Sequence, residues 1–122
     1  MVERQSGTII NMCSIASFIA GGGGAAYTAS KHALAGFTRQ LALDYAKDKI
    51  QVFGIAPGAV KTAMTASDFE PGGLADWVAQ ETPIGRWSNP EEIADLTEFL
   101  ASGKASSMQG EIIKIDGGWS LK

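Results

Sequence analysis

The chain has 122 residues, 45% of them apolar, with ten Lys and Arg against thirteen Asp and Glu, for a net charge of −3. That length suits one domain with one core, and the charge balance offers no basic face to nucleic acid. No apolar run approaches the roughly 18 residues of a membrane span, and Met1 to Gly7 lacks the apolar stretch of a secretion signal. Cys13 is the single cysteine, so no internal disulfide can form; a cytoplasmic protein without a metal site is expected.

Taken in chain order, Thr8–Met12 is a short apolar run after Gly7 and reads as a buried strand. Residues 15–26 are small and glycine-rich and read as a loop. From about Ala26 to Ala46 the spacing predicts a helix, with Leu34, Phe37, Leu41 and Tyr45 on one apolar face. Ile50–Ala56 is the second strand, stopped by Pro57-Gly58. Residues 59–72 look irregular, and Gly73 to Glu81 reads as a short helix. A clear start signal follows: Asn89 as N-cap, Pro90 at the first helical position, Glu91 and Glu92 in the first turn. Ile93, Leu96 and Leu100 give this helix its apolar face, and Gly103 lies just past its end. Glu111–Ile115 is the third strand, closed by Asp116-Gly117-Gly118. The order β-α-β-α-β argues a parallel sheet with helices packed on its faces. Ligands in such sheets sit beyond the carboxyl ends of the strands. The loops after Met12, Pro57 and Asp116 therefore carry the functional interest.

The run Gly21 to Gly24 matches a loose dinucleotide fingerprint, Gly21-x-Gly23-x-x-Ala26. The context opposes a phosphate cradle. The fingerprint should follow its strand directly and be answered by an acidic residue at the end of the next strand. Here eight residues, Cys13 to Ala20, intervene, and the next strand ends in Ala56-Pro57. The alternative is that small residues let this loop pass close to a substrate or a neighbouring backbone.

Tyr27 and Lys31, four residues apart, share one helix face near its start. A phenol titrates near 10, and bringing it to about 7 takes about 4 kcal/mol of extra stabilisation of the phenolate. A nearby ammonium, a helix N-terminus and a cationic cofactor together could supply that. Such an acid suits carbonyl reduction, in which the oxygen gains a proton as hydride reaches the carbon. Ser14, just past the first strand, could hydrogen-bond the same oxygen. Alone, Y-x-x-x-K is equally a half-buried Tyr beside a solvated Lys. The combination carries the argument: Ser14 precedes Tyr27 by 13 residues, and both follow a strand ending Ile10-Asn11-Met12.

The segment "GTIINMCSIAS…YTASKHAL" resembles the active-site segment of the classical short-chain dehydrogenases/reductases. Asn11-x-x-Ser14 and Tyr27-Thr28-Ala29-Ser30-Lys31 match that family's N-x-x-S and Y-x-A-S-K patterns residue by residue. "IAPGAVKTAM" resembles its P-G motif, and "PIGRWSNPEEIADLTEFLAS" with "GEIIKIDGGW" its last helix and strand. The nearest flavour is the branch of 3-oxoacyl-acyl-carrier-protein reductases and bacterial sugar and steroid alcohol dehydrogenases. The resemblance implies an α/β fold, the C-terminal part of a Rossmann-like doubly wound parallel sheet. It implies Tyr27 as general acid/base, Lys31 as the group that favours its phenolate and holds the nicotinamide ribose, and Ser14 as the group that orients the carbonyl. Pro57 and Gly58 would line the nicotinamide pocket, with Val60 and Thr62 near the carboxamide and phosphates. Residues 63–82 would be a substrate lid, with Met64, Phe69, Leu74 and Trp77 either an apolar recognition face or simple packing. The cofactor would be NAD or NADP, the partner a small carbonyl or alcohol substrate, and the assembly a dimer or tetramer.

The sequence departs from that family in length. The family's first half carries a T-G-x-x-x-G-x-G turn, the residue that selects NAD or NADP, an N-N-A-G strand and a catalytic Asn, and residues 1–122 hold none of these. A single partial domain is expected, with an unpaired first strand and apolar helix surface. Two functions follow: an NAD(P)-dependent carbonyl reductase/alcohol dehydrogenase, or a non-catalytic assembly module without the pyrophosphate site.

Overall fold

A computed structural model describes residues 1–122. Its centre is strand β2, Ile50–Pro57, flanked by β1, Gly7–Met12, and β3, Ile112–Ile115. Both pairings are parallel, in the order β1-β2-β3, with Gly7 opposite Ile50 and Gly54 opposite Ile112. Two long helices cross between the strands: α1, Gly24–Tyr45, and α3, Pro90–Ala101. A shorter helix, α2, Ala75–Glu81, lies in the segment between β2 and α3. The expected β-α-β-α-β order therefore holds, with a short 3-10 helix, Ala63–Phe69, in part of the stretch read as irregular.

The alternation of side chains along β2 assigns the two layers. Phe53 and Ile55, fully buried, face α3 and meet Leu100 and Ala105, with Ile93 and Leu96 packed alongside. Full burial of Phe53, Ile55 and Leu100 contributes about 1.5–3 kcal/mol each. Ile50, Val52 and Ala56 face α1, against Ala35, Ala42 and Cys13. This second layer is built of small groups. A Cβ on Gly54 would lie 2.9 Å from Ile112 and 3.1 Å from the Cys13 sulfur, so those two side chains fill the space over Gly54.

The burial pattern corrects the expected face of α1. Leu34 and Leu41 pack inward, but Phe37 is 56% exposed and Tyr45 is also exposed. The buried stripe is Ala35, Thr38 and Ala42: Ala35 packs with Cys13, Ala56 and Ile112, and Ala42 with Ile50 and Val52. The start of α3 is as expected: the Asn89 N–H donates to Glu92 Oε2 at 2.7 Å, and Pro90 occupies the first turn. Gly103, just past its end, has φ 83°. Gln109 ties the base of the sheet together. It accepts from the Val52 N–H at 3.0 Å and donates to the Ala42 and Ile50 carbonyls at 2.8 and 2.9 Å. β1 pairs with β2 alone, so its other side is an edge. No helix is long and apolar enough to cross a membrane.

Candidate active site

The chain leaves β1 through Cys13 and Ser14 into a 3-10 turn, Ile15–Ser17. Ser14 is buried, and its Oγ accepts from the Ala16 N–H at 3.1 Å, which stabilises that turn. The hydroxyl hydrogen is left for another acceptor. Ser17, also buried, accepts from the Ser14 N–H at 3.3 Å and donates to the Lys31 carbonyl at 2.7 Å. One serine thus joins the strand-end turn to the helix that carries the Tyr and Lys.

Lys31 reaches back to the strand from the other side. Its Nζ donates to the Met12 carbonyl at 2.8 Å and lies 5.6 Å from the centre of the Tyr27 ring. The ammonium is therefore fixed beside the phenol, with two donors still free. A second tie runs below: Asn11 donates to the Thr38 hydroxyl at 3.0 Å, and Thr38 donates to the Leu34 carbonyl at 2.7 Å. Ser14, Tyr27 and Lys31 are thus on two elements joined at three levels: Asn11–Thr38, Met12–Lys31 and Ser17–Lys31.

The glycine run belongs to the positioning of Tyr27. α1 begins at Gly24, two residues before the expected start, with Gly23 as its cap at φ 145°. A Cβ on Gly23 would lie 2.6 Å from Cδ1 of the Tyr27 ring, whereas Gly21, Gly22 and Gly24 face open space. The close approach that small residues permit is therefore to the tyrosine itself.

The second loop carries Pro57, Gly58, Val60 and Thr62. The Gly58 N–H donates to the Ile115 carbonyl at 3.1 Å, and a Cβ there would meet Asp116 at 2.9 Å. Val60 bridges to Ser88: the Lys61 N–H donates to the Ser88 carbonyl at 3.0 Å, and the Ser88 N–H to Ala59 at 2.9 Å. This bridge closes the neck of a flap, residues 61–87. Thr62 caps its 3-10 helix and accepts, through its carbonyl, from Thr65. Within the flap the Phe69 ring packs tilted at 53° against Trp87, with ring centres 4.8 Å apart, and Lys61 Nζ lies 5.0 Å from its centre. Met64 is 88% exposed, and Leu74 and Trp77 are about half exposed. The four apolar flap residues are thus not a shared core.

Asp116 ends the third strand. Burial pushes its carboxyl up, but the Ser120 hydroxyl, the Ser120 N–H, the Gly118 N–H and the charge of Lys114 outweigh this and hold it below the usual carboxylate range. The sequence marked Asp116 only as a strand terminator. Ser17 and Thr38 were likewise unmarked; the S-x-x-S spacing Ser14 to Ser17 is the signal that could have found the first.

A doubly wound parallel sheet, with these groups gathered at the carboxyl ends of its strands, defines a Rossmann-like nucleotide-fold protein. A family model described as Enoyl-(Acyl carrier protein) reductase matches residues 1–120, and the chain belongs to the short-chain dehydrogenases/reductases. It is 37% identical over 118 residues to gluconate 5-dehydrogenase of Gluconobacter oxydans, covering 97% of this chain and 46% of that protein. It is 36% identical, over a similar share, to a 3-oxoacyl-acyl-carrier-protein reductase of Aquifex aeolicus. Among solved structures, a gluconate 5-dehydrogenase from Burkholderia cenocepacia in complex with NADP and tartrate superimposes with a TM-score of 0.91 and 34% identity, covering 99% of this chain and 48% of that one. The chain spans about half the length of the relatives it matches. Its fold is the C-terminal part of theirs, as the motif order implied.

Proposed function

We propose that this chain carries the proton-transfer and substrate-side part of an NAD(P)-dependent carbonyl reductase/alcohol dehydrogenase. The observation that carries the reading is the fixed Tyr27–Lys31 pair, with the ammonium pinned to the end of β1 and 5.6 Å from the phenol ring. In the reductive direction Tyr27 gives its phenolic proton to the carbonyl oxygen. Ser14 donates a hydrogen bond to that oxygen and orients it. Lys31 favours the phenolate left behind and offers its two free donors to a ribose diol. These donors lie at the carboxyl end of β1, and Pro57 and Gly58 end the neighbouring strand β2, a placement that suits the nicotinamide-ribose end of a dinucleotide. A reduced nicotinamide held there would supply the hydride for the carbonyl carbon, leaving the alcohol and the oxidised cofactor. Val60 and Thr62, in the loop after Gly58, would hold its carboxamide and phosphates. In the reverse direction the Tyr27 phenolate takes the alcohol proton.

The substrate is a small carbonyl or alcohol. The names of the relatives support a polyhydroxy acid or a 3-oxoacyl thioester, and 5-ketogluconate and a 3-oxoacyl thioester are the two probes to compare. A homo-oligomer, dimer or tetramer, accords with the outward Phe37, Leu43 and Tyr45 of α1. The reading is tested by titrating the chain with NADH and NADPH by fluorescence, followed by turnover of Tyr27→Phe. Saturable binding is expected, and Tyr27→Phe lowers turnover about 10²–10⁴-fold with the fold intact. Unchanged turnover removes Tyr27 from the chemistry. Lys31→Met should move the pH at which the rate climbs upward; an unmoved profile counts against its role. No dinucleotide binding at all favours the non-catalytic assembly module.

A further inference from the structure

Three stretches far apart in sequence meet beyond the ends of β2 and β3: the Pro57-Gly58 bend, helix α2 of the flap, and the C-terminal turn. The turn is organised by Asp116. One carboxylate oxygen accepts from the Gly118 N–H at 2.9 Å, and the other from the Ser120 N–H at 3.0 Å and the Ser120 hydroxyl at 2.6 Å. The turn lies flush against the bend, because the place of a Gly58 Cβ is filled by Asp116.

From there the turn grips the flap at four points. The Ile84 N–H donates to the Gly117 carbonyl at 3.2 Å. Gly117, at φ 62°, leaves the space of its Cβ to Thr82 and Ile84, 2.7 and 2.8 Å away. Trp119 meets Trp77 of α2 edge-on, with ring centres 6.1 Å apart at 74°. Lys122 lies over the Trp119 ring and bonds the Glu81 carboxylate at 3.0 Å, and also the Glu81 carbonyl. Helix α2 itself has no buried residue, and Trp77 is 52% exposed. Its other tie outside its own ends is the Trp87 indole, which donates to the Ala75 carbonyl at 2.9 Å. A helix without a core of its own takes its position from what holds it.

We propose that the C-terminal turn is a strap that positions α2, with Trp119 as the grip and Asp116 as the link that ties this grip to the Pro57-Gly58 bend. The description of α2 as a substrate lid rests on the function proposed above; the strap itself does not. Trp119 and Asp116 are therefore positioning residues, acting on the substrate side through α2.

The test needs no cofactor. Thermolysin cuts before large apolar residues, so Phe69 and Leu74 are its expected flap sites, and Leu43, exposed but inside α1, reports opening of the body as an internal reference. Trp119→Ala should speed flap cleavage about threefold to tenfold, as loss of an aromatic pair predicts, while cleavage at Leu43 holds. Trp119→Phe, which keeps an aromatic edge, should restore the slow rate, and Asp116→Asn should loosen the flap as Trp119→Ala does. The wild-type chain should also show an indole–indole exciton couplet in circular dichroism that Trp77→Phe and Trp119→Phe each remove. Flap cleavage that does not change in Trp119→Ala, that rises in step with Leu43, or that is already as fast in the wild type overturns the strap. A loosened flap in the variants of a chain that binds no NADPH upholds the strap and sinks the enzyme reading instead.

Discussion

The rim of β1 and the flap stand at the same end of the sheet, and they are built in opposite ways. Around Ser14, Tyr27 and Lys31 the supporting framework is tied: Asn11 to Thr38, Ser17 to the Lys31 carbonyl, Lys31 to the Met12 carbonyl, with Ser14, Ser17 and Thr38 all buried. Helix α2 buries none of its own residues and is held only from outside, and Met64, Leu74, Trp77 and Ile84 are exposed by half or more. A site that must hold a phenol, an ammonium and a hydroxyl in fixed relation needs over-determination, because a misplacement of about 1 Å can cost about 10²-fold in rate. A surface that must accept ligands of differing shape needs few ties and much adaptable apolar area. The division of labour proposed for this chain, reaction geometry in one region and recognition in the other, follows the same line.

The comparison can be broken first at Gly23. In Gly23→Val a Cβ would enter the space of the Tyr27 ring, on a backbone with φ 145° that side chains avoid. NADPH oxidation with a carbonyl substrate should fall about 10²-fold, with the circular dichroism of the fold kept. A normal rate would show that the rim tolerates what its packing forbids. Thr38→Val is the next largest test. It leaves the Asn11 amide without its partner in a half-buried position, and the stability read from urea unfolding should drop by about 1–3 kcal/mol at constant m. A loss too small to measure would mean the second tie is ornamental.

The smallest effect belongs to the outer hinge of the flap. Arg86 holds Glu92 through two bonds, at 2.9 and 3.0 Å, and with the Asn89 N–H lowers the Glu92 carboxyl to about 2. A folded pKa below the unfolded one gives stability that is present above the ordinary value of 4.5 and lost as pH falls toward about 2. Both side chains are well exposed, so the contribution is small. The melting temperature of Arg86→Ala should lie slightly below that of the wild type at pH 7, and the two should converge as pH is lowered through that window. A gap that persists at pH 2 would place the effect elsewhere, in lost packing of the Arg86 stem.

What was legible in the sequence was local or strictly periodic. Asn89-Pro90-Glu91-Glu92 announces the start of α3 because a cap is satisfied by residues within one turn. The spacing of Ser14, Tyr27 and Lys31 could be read because a strand end and a helix start have few ways to meet. The buried face of α1 could not be read from size. Phe37 and Tyr45 fall on the apolar spacing, yet it is Ala35, Thr38 and Ala42 that are buried, with Ala35 against Ala56 and Ile112 and Ala42 against Ile50 and Val52. That depends on which residues of β2 point the same way, which one helix does not reveal. Asp116 escaped for a related reason: its partners are local, but what makes it matter is Gly58, which comes from the other strand.

One glycine of the run stands apart. Gly22 has neither a left-handed backbone nor any atom within 4 Å of where a side chain would project, while its neighbour Gly23 is locked under the tyrosine ring. The chain's own thiol, Cys13, is 2% exposed. A thiol introduced at position 22 would therefore be the accessible one in the molecule. Chemistry has, in effect, been left a mounting point five residues from Tyr27, where a fluorophore or spin label could watch the site without touching it.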